Sequence, residues 1–226
     1  MANRAYLRVW TRDFSQQTMV AQFARFLATA PLSPAQPAFK ELIVQPIDPS
    51  ETPLAEWDLR EQGYGAPEVA ALAAQHINAD SAYIASASWE LWSFDSQSMK
   101  WTQKPEPLTL ICHGPDYDGG IAASEGHFLA DLGFEHFFTG HAGLLAPAAA
   151  SNPFDSSSES AERTFRQWMS VPNNLKEYHA KTRDNIQVLF NWIDAIGQAL
   201  PVERSELSSE GEENFEARLD AIAARH

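Results

Sequence analysis

The chain has 226 residues, of which 44% are hydrophobic, and its thirty acidic and sixteen basic side chains give a formal net charge of −14. This apolar content excludes intrinsic disorder over most of the length. The longest run without charged or strongly polar residues, 142–150, is far short of the ~20 residues that span a bilayer. The single Cys112 cannot form an internal disulfide, and residues 1–15 lack the apolar stretch of a secretory signal, so we expect a cytoplasmic protein.

Residues 1–95 show a regular succession of predicted elements. In the first strand Leu7 and Val9 alternate with bulkier polar and aromatic side chains, which is the period-two pattern of a strand. The elements are a strand at 5–11, a helix after Ser15, an extended proline-rich connector at 30–38, strands at 39–47 and 53–60, a helix from Pro67, and a strand at 81–94. The order βαββαβ predicts an α+β fold that begins with a ferredoxin-like unit.

The sheet is predicted to extend beyond this unit. Further strand patterns occur at 99–103, 107–113 and 126–133. The composition of residues 146–160 is that of a linker, so we predict a sheet domain at 1–145, a linker at 146–160, and C-terminal helices at 161–226 that pack on the same domain. These helices are a long amphipathic one at about 175–200 and a final one that Ser209 and Glu212 begin as a capping box.

The aromatic face of the first strand admits two interpretations. Tyr6 and Trp10 are expected to share a sheet face with Trp89, and an open aromatic face of this kind can stack nucleic-acid bases. The acidic charge and the lack of an RNA-recognition motif oppose nucleic-acid binding. We therefore expect the helix at 175–200 to cover this face.

The densest polar cluster, residues 113–141, contains four histidines and five carboxylates. Imidazole and carboxylate groups can bind divalent metals, but on a strand His127 and Asp131 would be ~13 Å apart, too far to share an ion. Residues 116–127 lack the glycine and glutamate of a calcium-binding EF-hand loop. We therefore predict no metal and no cofactor in this cluster, and Cys112 is expected to be a buried structural thiol.

The distribution of charge predicts a function. Residues 41–161 hold eighteen acidic side chains against three basic ones. Because the sequence has no local catalytic motif, we predict a non-catalytic binding protein, of the inhibitor or immunity type, for a basic protein partner. The predicted binding residues are Trp101, Asp116, Asp118, Glu125, Asp131 and Glu135.

Two alternatives remain open at this point. Histidines and carboxylates of residues 113–141 could be brought together by the fold into a metal-assisted hydrolase or a small-ligand enzyme. The apolar stripe of the 175–200 helix could instead serve self-association, and the sequence leaves the oligomeric state undetermined.

Overall fold

The computed structural model describes residues 3–47, 50–95, 98–139, 163, 165 and 167–224. Seven strands form one sheet in the order β3-β2-β4-β5-β6-β1-β7, and every pair of neighbours is antiparallel. The strands are β1 Arg4–Thr11, β2 Glu41–Gln45, β3 Ala55–Asp58, β4 Ala82–Asp95, β5 Lys100–His113, β6 Phe128–Phe134 and β7 Val202–Ser209. The predicted α+β class is therefore confirmed.

Most of the helices pack on one face of this sheet, which we call the helix face. The helices are α1 Met19–Thr29, α2 Ala66–Ala73, α3 Ala122–Glu125, α4 His136–Thr139, α5 Pro172–Ala199 and α6 Phe215–Ala223. Of these, α1, α2, α4, α5 and α6 contribute buried side chains to the main core, whereas α3 lies in the loop between β5 and β6. No helix in the described part of the chain is both long and apolar enough to cross a membrane.

The main core forms because alternate residues of each strand point to the helix face. In β1 these are Leu7 and Val9, both almost completely buried, and the neighbouring strands add further apolar side chains. Helix α5 contributes Trp192, whose ring lies 5.9 Å from that of Trp89 and 6.1 Å from that of Phe26. This packing places the C-terminal helices on the sheet, as predicted.

The outer edge of β4 is covered along its length by three different segments. Strand β2 pairs with the first part of β4. Next along the edge, the Ser33 N–H of the proline-rich connector donates to the Ser88 carbonyl. Near its end, the Asn185 side chain of α5 accepts from the Trp92 N–H and donates to the Trp92 carbonyl, as a neighbouring strand would. The connector, through its backbone, and α5, through the Asn185 side chain, are thus hydrogen-bonded to the backbone of β4 as well as packed on the sheet.

The ferredoxin-like arrangement is not confirmed. In that unit β1 and β4 are direct neighbours, whereas here β5 and β6 lie between them. The reason is the hairpin of β4 and β5, which pairs fourteen residues of each strand and occupies the edge of β4 that β1 would need. The strands predicted at 99–103 and 107–113 are one continuous strand, β5. Pro105 and Pro107 are tolerated there because β6 pairs only with residues 109–112 of β5.

The C-terminal region differs from the prediction in one element. Strand β7 was not predicted, because its sequence VERSELSS contains one large apolar residue besides the initial valine. The final helix begins at Phe215 rather than after Ser209, whose Oγ instead accepts the N–H groups of Gly211 and Glu212 in a turn. The predicted linker, 146–160, lies outside the described residues.

The prediction that Tyr6 and Trp10 share a sheet face with Trp89 is wrong. Trp89 points to the helix face and is completely buried, whereas Tyr6 and Trp10 point to the opposite face. The pairing register aligns Leu7 and Val9, not Tyr6 and Trp10, with the core-facing residues of the neighbouring strands. Helix α5 therefore covers Trp89 but leaves Tyr6 and Trp10 on the other side of the sheet.

Candidate binding surface on the open sheet face

The sheet face opposite the helices, which we call the open face, carries a row of apolar side chains across four neighbouring strands. Pairing register places Ile43 beside Ile84, Ile84 beside Ile111, and Ile111 beside Leu129. All four side chains are partly exposed. The row spans three interstrand spacings, or about 14 Å. It is therefore an apolar strip that runs perpendicular to the strands.

Carboxylates border this apolar row on the side of β2, β3 and β4. Glu56 follows Ile43 in the same row and is exposed, while Glu41 lies two residues from Ile43 on β2. Glu41 accepts a hydrogen bond from Ser86 Oγ at 3.2 Å, and Glu90 accepts one from Ser33 Oγ. In the described part of the chain none of these three carboxylates forms an ion pair with lysine or arginine. The Lys40 ammonium donates to Ser88 Oγ at 2.6 Å, between Ser86 and Glu90 on the same face, so three carboxylates and one lysine leave this half of the face with net negative charge.

On the β1 side of the open face, the carboxylates are paired with arginine. Arg4 lies 2.6 Å from Asp131 and Arg8 lies 2.7 Å from Glu125, atom to atom. The hydrogen bond to Asp131 is the main cause of a raised Arg4 pKa. The Tyr6 hydroxyl donates to Glu210 at 2.9 Å, and burial together with this carboxylate raises the pKa of Tyr6 to about 12. The β1 half of the face is therefore internally compensated.

The loop between β5 and β6 closes one end of the open face. Trp10 Nε1 donates to the Ala122 carbonyl at 3.0 Å, and the Arg204 guanidinium lies 3.6 Å from the centre of the Trp10 ring. On the same loop the Tyr117 ring stacks on His113. Trp10 is buried by these contacts, so it does not offer an aromatic platform to a ligand.

The six predicted binding residues do not lie together. Trp101 is in a small aromatic cluster at the tip of the β4–β5 hairpin, where its ring lies 5.1 Å from those of Phe94 and Tyr178. The other five lie elsewhere: Asp116 and Asp118 are exposed on the β5–β6 loop, Glu125 and Asp131 form the arginine ion pairs, and Glu135 accepts a hydrogen bond from Ser209 Oγ. That these residues bind a partner remains a prediction.

The histidines of the predicted polar cluster make separate contacts. His113 Nδ1 lies 2.9 Å from the Gly126 carbonyl, and the His127 ring stacks on Phe14 at 4.1 Å. His136 packs against Phe134 and Phe137, and His141 lies outside the described residues. Within the described ranges no three His, Cys, Asp or Glu side chains are arranged to hold a metal ion. Cys112 is completely buried, and burial raises its thiol pKa.

Burial lowers the pKa of His113, His127 and His136 from the ordinary value of 6.5. Between these lowered pKa values and about pH 6.5, the unfolded chain therefore binds more protons than the folded chain. The free energy of unfolding consequently decreases as the pH falls through this range. We expect His113→Gln to show a smaller loss of stability than the wild type between about pH 7.5 and about pH 5. Urea unfolding at both pH values measures this difference. An unchanged difference would contradict the prediction, and His179→Gln, at an exposed position, is the control.

Sequence reasoning missed the residues that define this surface. The signal was present in β2, where Glu41, Ile43 and Gln45 alternate with the buried Leu42 and Val44. The alternation shows that these three share a face, but it does not show which strands stand beside them. Only the register aligns Ile43 with Ile84 and Ile111.

No known family model, curated protein or solved structure shows significant similarity to this chain.

Proposed function

We propose that this chain is a non-catalytic binding protein that holds a basic, amphipathic helix of a partner protein on its open face. The observation that carries the proposal is the apolar row of Ile43, Ile84, Ile111 and Leu129 beside carboxylates without ion-pair partners. Apolar contact supplies residence time, and the carboxylates supply attraction over a longer range.

The spacing of the row favours a helix that crosses the strands. Neighbouring strands are ~4.8 Å apart, so the four apolar side chains recur at that interval. On an α-helix, apolar residues at alternating intervals of three and four advance by ~5.2 Å along the axis. A helical segment of about three turns can therefore place one apolar side chain near each strand of the row.

The charge pattern favours a basic segment. Glu41, Glu56 and Glu90 lie on one half of the face, whereas Arg4 and Arg8 are already paired on the other half. Lys40 offsets only part of the charge of these three carboxylates, so a lysine or arginine of a bound helix could form an ion pair there. Steering of this kind raises the association rate and is weakened by salt.

A direct test measures binding of a fluorescent 18-residue peptide that has leucine at positions i, i+3, i+7 and i+10 and lysine at the others. The comparison peptide has the same composition in an order without helical periodicity. We expect the first peptide to bind more tightly, and Glu41→Lys with Glu56→Lys to weaken its binding at low salt by roughly tenfold or more. Fluorescence anisotropy over a range of salt concentrations gives the dissociation constants.

The matched control carries the same charge change elsewhere. Glu213 and Glu216 are exposed at the start of α6, so Glu213→Lys with Glu216→Lys should leave much more of the binding intact. Equal binding of the two peptides would contradict the proposal. Equal losses in the two double variants would show that only net charge matters, which also contradicts it.

A further inference from the structure

Among the residues that the structure describes, strand β7 is the last strand of the sheet and has one unpaired edge. Because the Glu210 N–H donates to the Arg4 carbonyl, and Arg12 N–H to the Pro201 carbonyl, even-numbered residues of β1 direct their backbone groups to β7. Their partners in β7 include Arg204 and Glu206. The intervening Ser205 and Leu207 therefore direct their N–H and C=O groups away from β1. Residues 203–206 are all exposed, so this stretch of the edge is accessible.

The side chains of this edge are self-complementary in one antiparallel register. If two copies of β7 pair about a twofold axis through Ser205, Arg204 of each copy lies opposite Glu206 of the other. Both side chains point to the open face, as do their partners Trp10 and Arg8. Such directly opposed residues have Cβ atoms about 5 Å apart, within the reach of an ion pair.

The two neighbouring registers are disfavoured. Because only Ser205, Leu207 and their odd-numbered neighbours present outward backbone groups, the axis can move only by whole residues to Arg204 or Glu206. An axis at Arg204 opposes two arginines, and an axis at Glu206 opposes two glutamates. Like charges directly opposed destabilise a strand pair. The charges of Arg204 and Glu206 therefore favour the register centred on Ser205 over its two neighbours.

A cavity on the helix face reaches the same edge. Its volume is about 260 Å³, and its lining is mostly apolar, including Ile193 and Val202, with Asp194 and Ser205 as the polar members. Gly197 is exposed, and a Cβ there would meet no atom within 4 Å, so the cavity is open to solvent on this side of α5. Because Ser205 would lie on the twofold axis, a second copy would lie directly beside the cavity and cover the apolar part of its lining.

We infer that the partner of this edge is a second copy of the chain, joined by antiparallel β7–β7 pairing about Ser205 into one continuous sheet of fourteen strands. Two observations support it independently of the proposed function: the self-complementary Arg204 and Glu206, and the open, mostly apolar cavity beside Ser205. The apolar row of the open face is not part of this contact, so peptide binding and dimerisation are separable.

The test is the molar mass of the full chain by sedimentation equilibrium from micromolar to millimolar concentration. We expect a monomer–dimer equilibrium. Ser205→Pro removes an outward N–H while leaving the β1 ladder intact, and should abolish the dimer. Glu206→Arg opposes four positive charges in place of two ion pairs and should weaken the dimer by roughly tenfold or more. Arg204→Glu with Glu206→Arg restores opposite charges and should recover most of the loss.

Controls separate dimerisation from folding. Glu213→Arg makes the same change of charge away from β7 and should leave the dissociation constant unchanged within about threefold. Thermal unfolding of each variant reports whether the monomer is intact. A wild-type mass of one chain throughout the concentration range would overturn the inference. A dimer that Ser205→Pro and Glu206→Arg both leave unchanged would overturn it too, because the contact would then lie elsewhere.

Discussion

Replacing Asn185 with leucine is expected to lower the free energy of unfolding by about 3 to 5 kcal/mol, although leucine is the better helix former. The Asn185 side chain is almost completely buried and makes three hydrogen bonds to backbone groups. It accepts from the Trp92 N–H at 2.8 Å and donates to the carbonyls of Trp92 and Phe137, both at 2.9 Å. Leucine would leave these three groups without partners, at a cost of about 1 to 3 kcal/mol for each one that water cannot reach.

The position of Asn185 explains the size of this effect. The side chain joins α5 to the outer edge of β4 and to α4 at one point, and the core residues Ile186 and Leu189 follow on the same helix. Without these bonds, backbone groups of β4 and α4 lose their hydrogen-bond partners on α5, and only side-chain packing holds the three elements together. Urea unfolding followed by tryptophan fluorescence measures the loss.

A matched substitution on the same helix provides the control. Asn191 is exposed, and its Oδ1 accepts one hydrogen bond from Gln187 one turn away. Asn191→Leu should change the free energy of unfolding by less than about 0.5 kcal/mol. If Asn185→Leu cost no more than this control, the bonds to Trp92 and Phe137 would not be holding α5 on the sheet.

Gly126→Ala is expected to lower the free energy of unfolding by about 3 kcal/mol, by two mechanisms. Gly126 has φ of 92° and ψ of 151°, a conformation that is essentially restricted to glycine. A Cβ there would also lie 2.8 Å from the Phe128 carbonyl oxygen and 3.1 Å from the Val9 nitrogen. Because both contacts are to backbone atoms of adjacent strands, the loop and the sheet would have to separate.

The same substitution at Gly197 should have the opposite sign. Gly197 lies inside α5, and a Cβ there would meet nothing within 4 Å. Gly197→Ala should therefore raise the free energy of unfolding by up to about 1 kcal/mol through helix propensity. Chemical denaturation of both variants under the same conditions checks the pair. Similar effects of the two substitutions would mean that neither strain nor close contact acts at Gly126.

The open face could be predicted only in part from the alternation of side chains along each strand. The alternation in β1 correctly separates Leu7 and Val9 from Tyr6 and Arg8, because neighbouring residues of a strand always point to opposite faces. The alternation does not show which face is covered, and the prediction that placed Tyr6 with Trp89 was wrong for this reason. The pairing of the carboxylates was equally inaccessible to the sequence, because the arginines that neutralise Asp131 and Glu125 are more than 100 residues away along the chain.

By itself, the sequence determined the features that depend on near neighbours along the chain. These are the α+β class, the strand character of β1 and β4, and the long amphipathic helix that became α5, since side-chain periodicity follows from local backbone geometry. The tertiary structure alone decided the strand order, the pairing of β7 with β1, the apolar row from Ile43 to Leu129, and which carboxylates remain without a cation. Those features depend on contacts between distant segments, such as Arg4 with Asp131, and such contacts are set by which edges and faces remain available after the hairpin of β4 and β5 has paired.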